Sequence, residues 1–245
     1  MAEVTFFMPL LIPVFMKQFM LWLLLLGGVS GPKSDFKNVF QEEFTNVRLK
    51  QWNQVNGNWE VDRNEKLVKG SKNNDWAILT AKKELPDNYI LTFSTLVEPS
   101  AYLFEVMLNI QNEKYLGILY NQLEGKVAIE DRSFFVNPEK ERGYIRTTGH
   151  IGKLPKVKIP MSEQWLDWKI QKTGTTFFVW IDNEEILKFT EPAEMIKSNG
   201  KFGFAINGSA QLKNIKVYKT RNKGALPPEG FIGKPHEQPF FQFSE

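Results

Sequence analysis

Few side chains in this sequence are equipped for chemistry, and most of them fall inside apolar, alternating runs. Glu105 and Asn109 lie within Leu103–Ile110, and Glu130, Asp131 and Arg132 stand at the end of the run that begins at Lys126. A carboxyl group among apolar neighbours is pushed toward its neutral form, which suits it to acid or base work near neutral pH. Glu105 is therefore a candidate acid/base group; Glu130 and Asp131 are adjacent, so they point to opposite faces of a strand. The plainer reading of Glu130 and Asp131 is a polar strand end closing a surface ion pair, worth little energetically. His150, beside Thr148 and Gly149, is the one imidazole in the strand-rich region; His236 falls in the C-terminal tail. Arg132, Asn109 and Asn207 offer hydrogen bonds to a polar ligand, and Trp76 and Tyr144 offer ring faces, although strand packing is the commoner fate of a lone aromatic.

Those residues need elements to position them, and the chain supplies strands. β-rich runs recur at Val39–Phe44, Lys66–Ser71, Trp76–Thr80, Tyr89–Val97, Leu103–Ile110, Tyr115–Tyr120 and Lys126–Asp131. Further runs follow at Trp165–Lys172, Thr175–Ile181, Glu185–Phe189, Lys201–Ile206 and Ala210–Lys219. Turn chemistry separates many of them, at Asn56-Gly57, Pro86-Asp87-Asn88, Gly174, Asp182-Asn183 and Asn207-Gly208. No window sustains a helical period; the best candidate is one turn at Pro192–Lys197. The reading is an all-β sandwich of two antiparallel sheets. The connection from Phe134 to Pro160, broken by Pro138, Pro155 and Pro160, is expected to be a long loop forming the lid or rim of a site.

Alternation also assigns faces. Phe104, Val106, Leu108 and Ile110 share one face, with Leu103, Glu105, Met107 and Asn109 on the other. Phe202, Phe204 and Ile206 oppose Gly203, Ala205 and Asn207, and Val127 and Ile129 oppose Lys126, Ala128 and Glu130. A face of small, polar and aromatic residues is what a sugar groove requires, because sugars bury ring faces while their hydroxyls demand partners. A solvated face without a ligand satisfies the same pattern.

Composition removes other classes. With 31 basic against 28 acidic residues, interspersed, the chain has no electrostatic footprint for nucleic acid. The absence of cysteine excludes disulfides, thiolate zinc sites and thiol nucleophiles. No cofactor is implied; Asp35, Asp75 and Asp182 are compatible with calcium, but no D-x-D-x-D loop assigns a site.

The ends differ from the middle. Residues 1–30 read as a signal peptide, with Met16 a candidate start, Lys17 as the basic residue, Phe19–Leu26 as the apolar run and Gly27–Ser30 leading to the cleavage site. The expected setting is secreted or periplasmic. The alternative is an uncleaved membrane anchor, although the run falls short of the ~20 residues a span requires. A sandwich domain over 36–220 follows, then a Pro/Gly/Phe-rich arm over 221–245 that carries Phe240, Phe241 and Phe243.

The order of these motifs resembles a known family. Trp52, Gly57, Trp59, Glu60 and Val61 look like the opening of a concanavalin A-like lectin/glucanase domain. Tyr115–Asn121 (YLGILYN), Thr148-Gly149-His150, Trp165–Ile170 and Val179–Ile186 resemble successive segments of the 3-keto-disaccharide hydrolase domain. Gly200–Phe204 and Lys213–Val217 resemble its closing strands. The resemblance implies a concanavalin A-like jelly roll whose last strand lies near its first, a saccharide ligand or substrate, and acidic residues after the strand at Lys126. It implies Glu130, Asp131 or Glu105 in acid/base roles, with His150 and Arg132 orienting hydroxyls. The chain departs from the family at Tyr120-Asn121, where an Arg is common, and it lacks the E-x-D-x-x-E of the laminarinase-type relatives. Three functions stay open: a glycoside hydrolase, a non-catalytic carbohydrate-binding or adhesion module, and a protein-binding sandwich that uses its Phe-rich tail.

Overall fold

Every element among the described residues is a strand, several of them buried on both faces. The computed structural model describes residues 36–122, 125–137, 142–153, 164–190 and 199–221, and of the side chains between 142 and 153 only that of Ile145. The expected signal peptide, the expected helical turn at Pro192–Lys197 and the expected arm beyond Arg221 lie outside the described residues. The strands are β1 (Phe36–Glu42), β2 (Trp52–Asn56), β3 (Asn58–Asp62), β4 (Leu67–Ser71) and β5 (Ala77–Glu84). Then come β6 (Tyr89–Val97), β7 (Leu103–Gln111), β8 (Lys114–Asn121), β9 (Lys126–Asn137) and β10 (Arg142–Lys153). The last five are β11 (Trp165–Thr173), β12 (Thr176–Ile181), β13 (Glu184–Thr190), β14 (Lys201–Asn207) and β15 (Ser209–Thr220). Among the described residues no helix is long and apolar enough to cross a membrane.

The strands form two antiparallel sheets. One has seven strands in the order β10-β9-β8-β7-β14-β5-β2. The other has eight, β13-β12-β11-β6-β15-β4-β3, with β1 also paired to β15. First and last strands therefore meet, as the resemblance implied: Phe36 opposes Thr220 and Glu42 opposes Ile215. The Asp182-Asn183 signal is a two-residue hairpin with φ of 50° and 65°, the doubly positive turn whose twist matches the flanking strands.

Direct pairing carries inward-facing residues across each sheet in rows. In the seven-stranded sheet Leu79, Phe204, Val106, Ile118 and Ile129 are successive partners, all buried. Between the sheets, Phe93 and Trp168 from the eight-stranded sheet meet Phe104 and Phe204 from the other. Phe93 stacks on Trp168 at 5.7 Å and meets Phe204 edge-on at 5.0 Å, while Phe104 lies 5.9 Å from Trp168. Each such ring pair adds roughly 0.5–1.5 kcal/mol beyond its area burial.

Three expectations change. The connection after Phe134 is a long hairpin: β9 runs on to Asn137 and β10 returns from Arg142 to Lys153. The glycines and polar residues of β10 (RGYIRTTGHIGK) hid an edge strand, which needs little apolar pattern. The short β2 and β3, folded about Gly57 at φ 77°, went unread as strands because their outward positions are polar. Ile110 is not on the core face; it packs with Met107 and Tyr115 on the opposite one. Asn109, at φ 54°, makes a bulge there and shifts the alternation by one.

Trp168 is 2% exposed at the centre of the inter-sheet rings. Trp168→Ala is expected to cost about 3–5 kcal/mol, read as a lowered denaturant midpoint with an unchanged transition slope.

Candidate functional site

The face of the seven-stranded sheet turned away from the inter-sheet core has an apolar floor of its own. Trp76, Ile78, Met107, Ile110, Tyr115 and Ala205 form a second buried cluster there, edged by half-buried Val55, Leu103, Phe134 and Ile145. Set into this floor is a polar centre. Glu105 on β7 opposes Leu119 on β8, and Glu130 on β9 opposes Gly117, one row along the same face. Arg132, opposite Tyr115, reaches from β9 across β8 to join them. Its Nη2 lies 2.7 Å from Glu105 Oε1 and its Nη1 lies 2.7 Å from Glu130 Oε2. The Tyr115 hydroxyl donates to Glu105 Oε2 at 2.7 Å.

Gly117 makes this crossing possible. A Cβ there would lie 2.9 Å from Arg132 Cδ and 3.3 Å from Tyr115 Cε2, so only a bare backbone leaves a channel for the arginine stem. Burial then grades the cluster in depth. Glu105 and Tyr115 are 0% exposed, whereas Glu130 and Arg132 each keep 7% of their surface. One guanidinium faces two carboxylates, so the three charges balance when one carboxyl holds a proton. Glu105 is fitted for that: burial pushes it up to about 7 against the pull of Arg132 and the Tyr115 hydrogen bond, with Glu130 adding to the rise. Burial and the Glu105 charge likewise push the Tyr115 hydroxyl well above its ordinary value and keep it a donor. Burial opposes the charge of Arg132, but Glu105, Tyr115 and Glu130 together raise its pKa.

The candidates read from the sequence distribute unevenly. Glu105, Glu130 and Arg132 come together. Asp131 does not join them, because adjacent strand residues point to opposite faces and its neighbour Glu130 takes the outer one; burial raises the Asp131 carboxyl on the core side. Along β10 the backbone of His150 pairs with Glu130 and that of Tyr144 with Phe135; both side chains lie outside the described residues. Trp76 is part of the floor, 8% exposed. Asn109 is buried on the bulge, with neither amide atom hydrogen-bonded among the described residues. Asn207 is a local tie: it accepts from Lys72 Nζ at 3.3 Å and donates to the Asp75 carbonyl at 3.2 Å. Among the described residues no group of three or more His, Cys, Asp or Glu could hold a metal ion, and Asp35 lies outside them. Tyr115 was missed, although Tyr115, Gly117 and Leu119 alternate on one face as Glu105 and Met107 do.

No family model matches the chain, and no curated protein is similar to it in sequence. Solved structures do share its fold. A Bacillus subtilis protein of unknown function with a galectin-like fold superposes with a TM-score of 0.54 at 12% identity, over 76% of this chain and 100% of the other. The carbohydrate-binding module CBM66 from Bacillus subtilis gives 0.52 at 12% identity, over 69% and 96%. A Bacillus licheniformis β-glucanase gives 0.50 at 10% identity, over 74% and 98%. The chain thus has a jelly-roll sandwich fold of two antiparallel sheets, the fold of that galectin-like protein, that carbohydrate-binding module and that β-glucanase.

Two outcomes follow from the cluster. The folded-state value of Glu105 lies above the ordinary 4.5, so its protonation favours the fold. That contribution is full below about pH 4.5 and is lost as pH rises through about 7. Urea midpoints at pH 5 and pH 8 should fall for the wild type, by on the order of 3 kcal/mol from this group, and change less in Glu105→Gln. Gly117→Ala should displace Arg132 and cost roughly 1–3 kcal/mol, seen as a lower midpoint and a shifted Tyr115 ring resonance.

Proposed function

We propose that the protein is an exported saccharide-binding protein whose ligand lies across the outer face of the seven-stranded sheet, at Glu130 and Arg132. The observation that carries this reading is the bridge from Arg132 to two carboxylates, set in an apolar and aromatic floor. Glu130 and Arg132 present an acceptor and a fork of donors at fixed spacing, which suits vicinal hydroxyls. Trp76 and the surrounding side chains suit the apolar face of a sugar ring. Glu105 and Tyr115, fully buried, act from below as positioning residues for Arg132. The kinship of fold with carbohydrate-binding and glucanase domains supports the same class of ligand.

Glycoside cleavage is the second reading, and the Glu105 carboxyl favours it, because a group titrating near 7 can give or take a proton at neutral pH. Binding is preferred because both Glu105 oxygens are engaged, by Arg132 and by Tyr115, which leaves no free nucleophile at that position. A 3-keto-glycoside would be the substrate to try first, on the sequence resemblance.

Calorimetry with a panel of neutral and 3-keto oligosaccharides tests both. Binding without product release is expected. Arg132→Lys should weaken it by about tenfold or more, because an ammonium cannot bridge both carboxylates. A panel with no binder sinks the saccharide reading. Turnover with a pH limb near 7 that Glu105→Gln abolishes would replace binding by catalysis.

A further inference from the structure

The outer face of the other sheet carries a second polar site. Pairing sets Lys216, Thr92, Lys169, Trp180 and Glu185 in one row across β15, β6, β11, β12 and β13. The next row holds Lys213, Ser94 and Asp167. These rows enclose a cavity of about 420 Å³, lined by Thr92, Ser94, Asp167, Lys169, Trp180 and Lys216, with Asn183 and Asn214 at its edge. That volume lies in the ~300–1,000 Å³ range of small-molecule sites.

Lys169 is the feature a purely structural role does not explain. It is 5% exposed, yet among the described residues its Nζ has no hydrogen-bond partner. The ammonium sits 3.5 Å above the Trp180 ring, a contact that offsets part of its desolvation but leaves its N–H donors unused. Burial holds its pKa down to about 8, with Glu185 opposing, so it is mainly cationic at neutral pH. Lys216 lines the same cavity from the other side of Thr92, as does Asp167, whose Oδ1 already accepts from Ser94 Oγ at 2.6 Å. Lys213 is engaged elsewhere, 3.7 Å over the Trp165 ring.

We propose that this cavity is an anion subsite that takes the carboxylate or sulfate group of an acidic saccharide, with Lys169 and Lys216 as its cationic ligands. The anion supplies the missing acceptor for Lys169. The hydroxyls of Thr92 and Ser94 and the amides of Asn183 and Asn214 meet the neighbouring sugar hydroxyls. Its saccharide part rests on the binding function proposed above; its anion part does not. The site lies on the opposite sheet from Arg132, so the two can be loaded separately.

The test is calorimetry on the full chain with four probes: an oligogalacturonate, a sulfated oligosaccharide, a neutral oligosaccharide of matched length, and inorganic sulfate. At least one acidic oligosaccharide should bind about tenfold or more tighter than the neutral one. K169Q and K216Q should each erase that margin, and K213Q should leave it. The carboxylated and sulfated arms identify the preferred anion. Lys216 is half-buried at the rim, so K216Q keeps the test intact if K169Q fails to fold. Equal binding of acidic and neutral sugars, a margin that survives K216Q, or no anion bound at all overturns the subsite. Sulfate bound through Lys169 and Lys216 with no saccharide bound anywhere would keep the anion site and remove the saccharide reading.

Discussion

Four rings between the sheets, Phe93, Trp168, Phe104 and Phe204, fix which way every neighbouring side chain points. Strand side chains alternate strictly, so a slip of one residue would turn every inward group outward. Pinning Phe104 inward commits Glu105 to the outer face of one sheet, and pinning Trp168 inward commits Lys169 to the outer face of the other. The bulge at Asn109 is the local exception, and it lets Ile110 change sides without disturbing Leu108.

The two outer faces solve the problem of buried charge in opposite ways. Around Arg132 every charge has a counter-charge at 2.7 Å, and a phenol hydrogen bond completes Glu105. Such a triad contributes little net stability over an apolar replacement, but breaking it by removing one member is costly. Lys169 has instead an aromatic face, with the Glu185 charge acting in its favour. The first arrangement is closed on itself; the second leaves the Lys169 Nζ with no hydrogen-bond partner among the described residues.

Much of this was legible in the sequence, for physical reasons that also mark where legibility stopped. Strands such as Tyr89–Val97 are buried on both faces, with Thr92 and Ser94 alternating with apolar residues, while Leu103–Gln111 kept enough alternation to put Glu105 on the right face. Arg132 and Glu130 were singled out through the resemblance, whose acidic residues follow the strand that begins at Lys126. Two things were out of reach. The bridge to Glu105 depends on β7, β8 and β9 being neighbours, and spacing along one strand carries no trace of that. Lys169 read as an ordinary strand lysine between Trp168 and Ile170; only the pairing with Trp180 reveals how little water it sees. Tyr115 could have been recovered from its place two residues before Gly117.

β15 also has a consequence for how the chain acquires its structure. It pairs with β6 along one side and with β4 and β1 in succession along the other, joining the earliest residues of the sandwich to its centre. Until Ser209–Thr220 is in place, β6 lacks one neighbour and β1 has no sheet to join. Closing contacts so far apart in sequence makes folding slow, on the order of milliseconds to seconds for sandwiches. On a ribosome adding ~5–20 residues per second, the eight-stranded sheet must wait with open edges for its last strand. The sheet is therefore completed only once Ser209–Thr220 has been synthesised, and its exposure to mispairing is greatest just before β15 docks.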